Sequence, residues 1–162
     1  MTSLEEDSSR KQKMKPYYFF STVLVLLLTL PIMSHAETPI YTGFFSNQAI
    51  SGFDTVAYFK EGKAVKGNDN FTTNYKDVQW QFKNQSNLDA FLLAPDSYAP
   101  QYGGYCAWAV AHENTAKGDP QQWHITDGKL YLNYNENINK KWLKDKKALI
   151  VNANSNWPRV LD

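Results

Sequence analysis

The chain has a single cysteine, and two of its three histidines lie in the same segment, QYGGYCAWAVAHENTAKGDPQQWHITDG (101–128). Thiolate and imidazole together suit copper and zinc, and they are also the residue types of a nucleophile and its base. One cysteine cannot form an internal disulfide. Cys106 is therefore a buried inert residue, a metal ligand, or a thiol that reacts with another molecule.

The candidate metal ligands are Cys106, His124 and His112, and their geometry depends on the helix that carries the cysteine. The residues predict one continuous helix over 104–113. In such a helix His112 lies six positions after Cys106, roughly 120° away around the axis, so it is a ligand only if the helix ends near Val110. His124 is a ligand only if its strand face is covered by the Cys106 helix.

Two hairpins are predicted to hold this segment in place. FTTNY and VQWQF alternate in polarity on either side of Lys76-Asp77. WHIT and KLYLNY flank Asp127-Gly128, a pair typical of a tight two-residue turn with positive φ angles. That turn pairs His124 with Tyr131 on one face of the hairpin. The other face is then apolar, with Trp123, Ile125, Leu130 and Leu132.

About three helices complete a predicted α+β fold in one small domain. They are expected over 87–94, 104–113 and 135–154. Ser86 and Asp89 form a typical helix-start pair, and this first helix is expected to bury Leu88, Phe91 and Leu92. Asp54 is expected to cap the segment that follows it. The sequence shows no internal repeat by inspection.

Residues 1–36 are interpreted as a signal peptide, with Met14 as an alternative start. Lysines precede an apolar stretch that ends in the small-x-small site Ser34-His35-Ala36. The alternative is an uncleaved membrane anchor. Because the apolar stretch is shorter than a membrane span and contains Pro31, we expect cleavage after Ala36 and no stable membrane insertion after cleavage. This predicts a periplasmic or secreted protein.

The part after residue 36 has balanced charge, with 13 Lys plus Arg and 13 Asp plus Glu. It therefore lacks the basic surface that binds nucleic acid. It also lacks methionine, since Met1, Met14 and Met33 all precede it, and this excludes a methionine-rich copper carrier.

Three blocks, GFDTVAYF (52–59), VQWQF and FLLAPDSYAPQYGGYCAWAV (91–110), resemble the exported bacterial subgroup of YHS-domain proteins. The resemblance implies a YHS-like, treble-clef-like domain over 50–158, an N-terminal arm at 37–49 and a tail at 159–162. The wider family occurs beside copper-pumping ATPases and in some oxygenases. Its early and later cysteines are missing from GFDTVAYF and FKNQSNLDAF, so only Cys106 is carried over by position.

The expected function is an exported binding module, not an enzyme, that holds copper or zinc through Cys106 with His124 or His112. The alternative is a metal-free protein that acts through its thiol with a partner, or that binds a small ligand. Aromatic clefts bind organic ligands by stacking. Further candidate site residues are therefore Asp54, Tyr131, Tyr105 and Trp108. An enzyme is the weaker hypothesis, because no orienting third residue or oxyanion hole is evident.

Overall fold

Both predicted hairpins form in the computed structural model, which describes residues 37–43 and 45–162. The antiparallel strands are β1 (Asn68–Tyr75) with β2 (Val78–Phe82), and β3 (Asp119–Thr126) with β4 (Lys129–Asn133). Asp127 and Gly128 have φ angles of 51° and 69°, and His124 pairs with Tyr131. The turn and the register of the second hairpin are therefore confirmed.

Six short α-helices and three 3-10 turns accompany the hairpins in the described residues. The helices are α1 (Thr55–Glu61), α2 (Gln85–Leu93), α3 (Pro95–Tyr98), α4 (Ala107–Ala111), α5 (Glu136–Lys144) and α6 (Lys146–Asn156). The 3-10 turns are Ala49–Gly52, Gln101–Gly104 and Arg159–Leu161. The α+β class is confirmed, with more and shorter helices than predicted.

Helix α2 starts earlier than predicted, and this changes its buried face. Its cap is Asn84, whose side chain accepts a hydrogen bond from the Asn87 backbone N–H at 2.9 Å, so the prediction of Ser86 as the cap is wrong. Leu88 and Phe91 are buried as predicted, but Leu92 is 56% exposed. Leu92 lies about 100° around the helix from Phe91, which carries it out of the core.

The predicted helices over 104–113 and 135–154 are both too long. Tyr102 and Gly103 have positive φ angles, and Cys106 is extended, so α4 begins only at Ala107. It ends before His112. The last helix is broken at Asp145, whose φ of −138° and ψ of 35° are not helical. These backbone angles are local features that side-chain periodicity does not reveal.

The same succession of elements occurs twice, so the prediction of no internal repeat is wrong. Strands β1 and β3 have eight residues each, β2 and β4 have five, and α2 and α5 have nine. The first member of each pair starts at 68, 78 or 85, and the second starts 51 positions later, at 119, 129 or 136. We call residues 49–98 copy 1 and residues 101–156 copy 2.

Matching contacts confirm that the two copies fold alike. Asn84 and Asn135 each cap the helix that follows the hairpin of their copy, by accepting from a backbone N–H three residues later. An added Cβ would lie 2.5 Å from the Cβ of Gln81 at Gly67, and 2.7 Å from that of Leu132 at Gly118. Only glycine permits these two equivalent close approaches of strand and loop.

The core consists of two hydrophobic clusters on the two sides of β4. Leu130 and Leu132 face the first cluster, which contains Trp80 and Phe91 of copy 1. Tyr131 faces the second cluster. Tyr131 is only 3% exposed, so the hairpin face that carries it is covered by protein.

The first and last described residues contact the same body. The backbone N–H of Glu37 donates to the Leu161 carbonyl at 2.9 Å, and that of Tyr41 donates to the Gly103 carbonyl at 2.9 Å. Leu161 is buried. The predicted signal peptide at 1–36, the alternative start at Met14 and the cleavage site lie outside the described residues. Within the described residues, no helix is both long enough and apolar enough to span a membrane.

Candidate functional site: a cavity beside Cys106

A cavity of about 240 Å³ opens beside α4, between the loop at 114–116 and the start of α5. We call it the thiol cavity. Its lining includes Cys106, Trp108, His112, Asn114, Tyr134 and Ile138. The short α4 explains the arrangement, because Cys106 is the residue just before the helix and His112 is the residue just after it. The two side chains thus share a cavity that a longer helix would have prevented.

The Cys106 side chain is 1% exposed and is held by Asn133. The thiol donates to the Asn133 Oδ1 at 3.8 Å, and the same oxygen accepts from the Trp108 backbone N–H at 3.2 Å. Burial raises the pKa of the Cys106 thiol, and the backbone N–H groups of Ala109, Tyr134 and Trp108 oppose part of that rise. The thiol is therefore protonated at neutral pH.

The His112 ring stacks on the indole of Trp108, with ring centroids 3.9 Å apart and planes at 27°. Its Nδ1 lies 2.6 Å from the Trp108 carbonyl oxygen. A carbonyl only accepts, so Nδ1 carries the proton and donates. In the neutral ring this leaves the Nε2 lone pair for a ligand or a metal ion.

His124 lies against Lys146 and is not part of the cavity lining. Its Nε2 is 3.2 Å from the Lys146 Nζ, and its ring centroid is 6.0 Å from that of Trp142. The ammonium group donates, so the imidazole accepts and is neutral. Burial, and then the charge of Lys146, lower the pKa of His124. The structure thus brings His112, and not His124, to the cavity that contains Cys106.

The other candidates have structural contacts. Asp54 caps α1 as predicted, because its Oδ1 accepts from the Val56 backbone N–H at 2.9 Å. The Tyr105 hydroxyl donates to the Thr38 carbonyl at 2.9 Å. The Tyr131 ring packs on Trp142, with centroids 5.3 Å apart. Of these further candidates, only Trp108 lines the thiol cavity.

At the corresponding position of copy 1, polar side chains are joined by hydrogen bonds. Asp54 precedes α1 as Cys106 precedes α4, and Asn87 is the third residue of α2 as Ile138 is of α5. In copy 1 the Asn87 Nδ2 donates to the Asp54 Oδ2 at 2.7 Å. The Lys60 Nζ donates to the Asn87 Oδ1 at 3.4 Å. Lys60 is six residues after Asp54, and His112 is six after Cys106.

Sequence reasoning missed Asn133 and Ile138. Asn133 is fully buried at the end of β4, and its Nδ2 donates to the Asn139 Oδ1 at 3.0 Å. The available signal was the alternation in KLYLN, which places Asn133 on the same strand face as Tyr131. Ile138 looks like an ordinary apolar helix residue until its counterpart in copy 1 is known to be polar.

A metal ion in this cavity would have two protein ligands, Cys106 and His112. Within the described part of the chain, His, Cys, Asp and Glu side chains form no group of three or more that could hold an ion. Structural zinc sites use four protein ligands and catalytic ones three. The donor set therefore fits a soft ion of low coordination number better than zinc.

Comparison with known proteins finds no matching family model, no matching curated protein and no matching solved structure. The resemblance to YHS-domain proteins therefore stays a prediction.

Proposed function

We propose that this protein is an exported, non-enzymatic binding module, related to the YHS-domain proteins, that holds a small ligand in the thiol cavity. One observation carries the proposal. Copy 2 has an aromatic cavity where copy 1 has a closed hydrogen-bonded network of Asp54, Asn87 and Lys60. An opening that replaces a filled position of the same fold is not needed for folding.

The lining indicates a small organic ligand. Trp108, Tyr134 and Ile138 offer apolar contacts, and the free Nε2 of His112 offers one hydrogen bond. Pockets for drug-sized ligands measure about 300–1,000 Å³. A cavity of about 240 Å³ suits a molecule with a single ring. The protonated thiol favours this function over thiol redox chemistry, which uses the thiolate.

Phenol is a suitable probe, and a variant that fills the cavity provides the test. We expect phenol to shift the backbone amide NMR signals of α4 and of residues 134–138 in the wild-type protein. Ala116→Leu places a larger side chain in the lining and should abolish these shifts. Ala64→Leu, next to Val65, which is the counterpart of Ala116, is a control that makes the same side-chain change in copy 1. Equal shifts in the wild-type and Ala116→Leu proteins would contradict the proposal.

A second candidate ligand is Cu(I), because Cys106 and His112 share the cavity and Nδ1 of His112 is already anchored. Copper binding would release the thiol proton, so affinity should rise with pH. Competition with a Cu(I) chelator tests this. Cys106→Ser and His112→Gln should lose affinity and His124→Gln should keep it. Equal uptake by the wild-type and Cys106→Ser proteins would reject the metal function.

Export is tested separately, at the N-terminus of the protein. The first residue of protein purified from the cell envelope should be Glu37, which follows the predicted cleavage site. A first residue at Met1 or Met14 in that fraction would show that the segment is retained.

A further inference from the structure

We infer that Ile138 determines the specificity of the thiol cavity, keeping it open and restricting it to uncharged molecules. The inference rests on the proposed function, since it concerns the same cavity. It comes from the repeat: the position that Ile138 occupies in copy 2 is occupied in copy 1 by Asn87, and Asn87 closes the space.

Asn87 closes copy 1 because its amide bridges two elements. It is buried, donates to Asp54 and accepts from Lys60, while the Asp54 Oδ2 also accepts from the Lys83 backbone N–H at 2.9 Å. Ile138 has no polar atom with which to make such a bridge. His112, at the position of Lys60, stacks on Trp108 instead of reaching α5. The space between α4 and α5 is therefore left open.

The same replacement removes charge from the site. Copy 1 has a carboxylate and an ammonium group at the two ends of its network. Among the described residues that line the thiol cavity, none is Lys, Arg, Asp or Glu. The Lys117 Nζ lies outside this lining, 5.8 Å from the centroid of the Tyr134 ring. A charged ligand that loses hydration against Trp108 and Ile138 gains no charged partner from the lining itself, and this cost disfavours it. A neutral ligand loses much less.

Two thiol reagents of matched reactivity test whether the cavity excludes charged molecules, with Cys106 as the reporter. They are the neutral methyl methanethiosulfonate and its anionic 2-sulfonatoethyl analogue. In each case Cys106 loses its proton, the thiolate attacks the sulfenyl sulfur, a mixed disulfide forms and methanesulfinate leaves. Rates are measured by mass spectrometry on the native protein and divided by the rates in urea, which removes the intrinsic difference between the reagents.

We expect the neutral reagent to modify the native protein at least about tenfold faster than the anionic one after this correction. Ile138→Asn should slow modification of Cys106 by the neutral reagent about fivefold. This is the effect expected when one added hydrogen bond must break before the cavity opens. Ile138→Val should keep the wild-type rate. His112→Lys, at an exposed position, should speed the anionic reagent by supplying a positive charge.

Equal corrected rates for the two reagents would overturn the inference, and so would an unchanged rate in Ile138→Asn. No modification by either reagent would show a closed cavity and overturn it as well. Should Ile138→Asn fail to fold, the decision falls to His112→Lys: an unchanged ratio of the two rates overturns the inference. If phenol binds but the two reagents react equally, the proposed function holds and the inference about charge fails. If the reagents differ but phenol does not bind, the exclusion of charged molecules holds and the proposed function fails.

Discussion

The buried carboxylate of Asp54 provides the sharpest test of the fold, through Asp54→Ala. The side chain is 0% exposed, and both of its oxygens accept hydrogen bonds. Oδ1 accepts from the backbone N–H groups of Val56 at 2.9 Å and Ala57 at 3.2 Å. Oδ2 accepts from the Lys83 backbone N–H at 2.9 Å and from the Asn87 amide at 2.7 Å. The carboxylate thus joins α1, the end of β2 and α2.

The size of the effect follows from these four donors. Loss of a helix N-cap costs about 1 kcal/mol. Each buried donor left without an acceptor costs about 1–3 kcal/mol, and the substitution strands two, at Lys83 and Asn87. These contributions add to about 3–7 kcal/mol. Because single substitutions seldom cost more than about 5 kcal/mol, we expect Asp54→Ala to lower the free energy of unfolding by about 3–5 kcal/mol. With a urea m-value of about 2 kcal/mol/M, the midpoint falls by about 2 M.

Urea unfolding followed by tryptophan fluorescence measures this change. Asp96→Ala is the control, because that carboxylate is 82% exposed and its removal should cost less than about 1 kcal/mol. Asp54→Asn should fall between the two, since its amide keeps one acceptor oxygen but turns an NH₂ toward the donors. A midpoint for Asp54→Ala close to that of Asp96→Ala would refute the assignment of Asp54 as a structural cap.

Three further outcomes are expected. Burial and the charge of Lys146 lower the pKa of His124 in the folded protein, so the unfolded chain binds a proton at a higher pH than the folded protein does. The free energy of unfolding should therefore fall as the pH drops below about 6.5. Lys146→Gln should raise the pKa of His124 in a ring-proton NMR titration. The buried Trp142 Nε1 has no hydrogen-bond partner in the described structure, and the counterpart of Trp142 in copy 1 is Phe91. Trp142→Phe should therefore lower the free energy of unfolding in urea by less than about 1.5 kcal/mol, whereas Trp142→Ala should lower it by about 3–5 kcal/mol. Gly118→Ala should lower the melting temperature measured by circular dichroism, because its Cβ would lie 2.3 Å from a neighbouring backbone oxygen.

The hairpins could be predicted because their signals are local. Asp127-Gly128 fixes a two-residue turn, and alternation then fixes which residues share a face. Helix ends were harder to predict. Tyr102 has a φ of 53°, unusual for a residue with a side chain, and it delays the start of α4. No pattern of hydrophobic residues predicts that angle, which also occurs at the corresponding Ile50 of copy 1, with a φ of 49°.

The candidate site could be predicted only in part for the same reason. Sequence reasoning selected Cys106 and stated the condition under which His112 could join it, namely a helix that ends early. The structure meets this condition, since α4 ends at Ala111. The choice between His112 and His124 depended on tertiary packing. Lys146, distant in sequence, occupies the Nε2 of His124.

The repeat was not evident in the sequence because corresponding strand positions carry residues of different polarity. Gln79 and Gln81 of β2 correspond to Leu130 and Leu132 of β4. The leucines face the core of copy 1, whereas Gln81 donates to the Asp69 carboxylate at 2.5 Å. The corresponding face of copy 1 is also buried at Gln81, but it holds a hydrogen-bonded amide where copy 2 packs leucine. The helix-capping position differs between the copies as well, since Asp54 of copy 1 corresponds to Cys106 of copy 2.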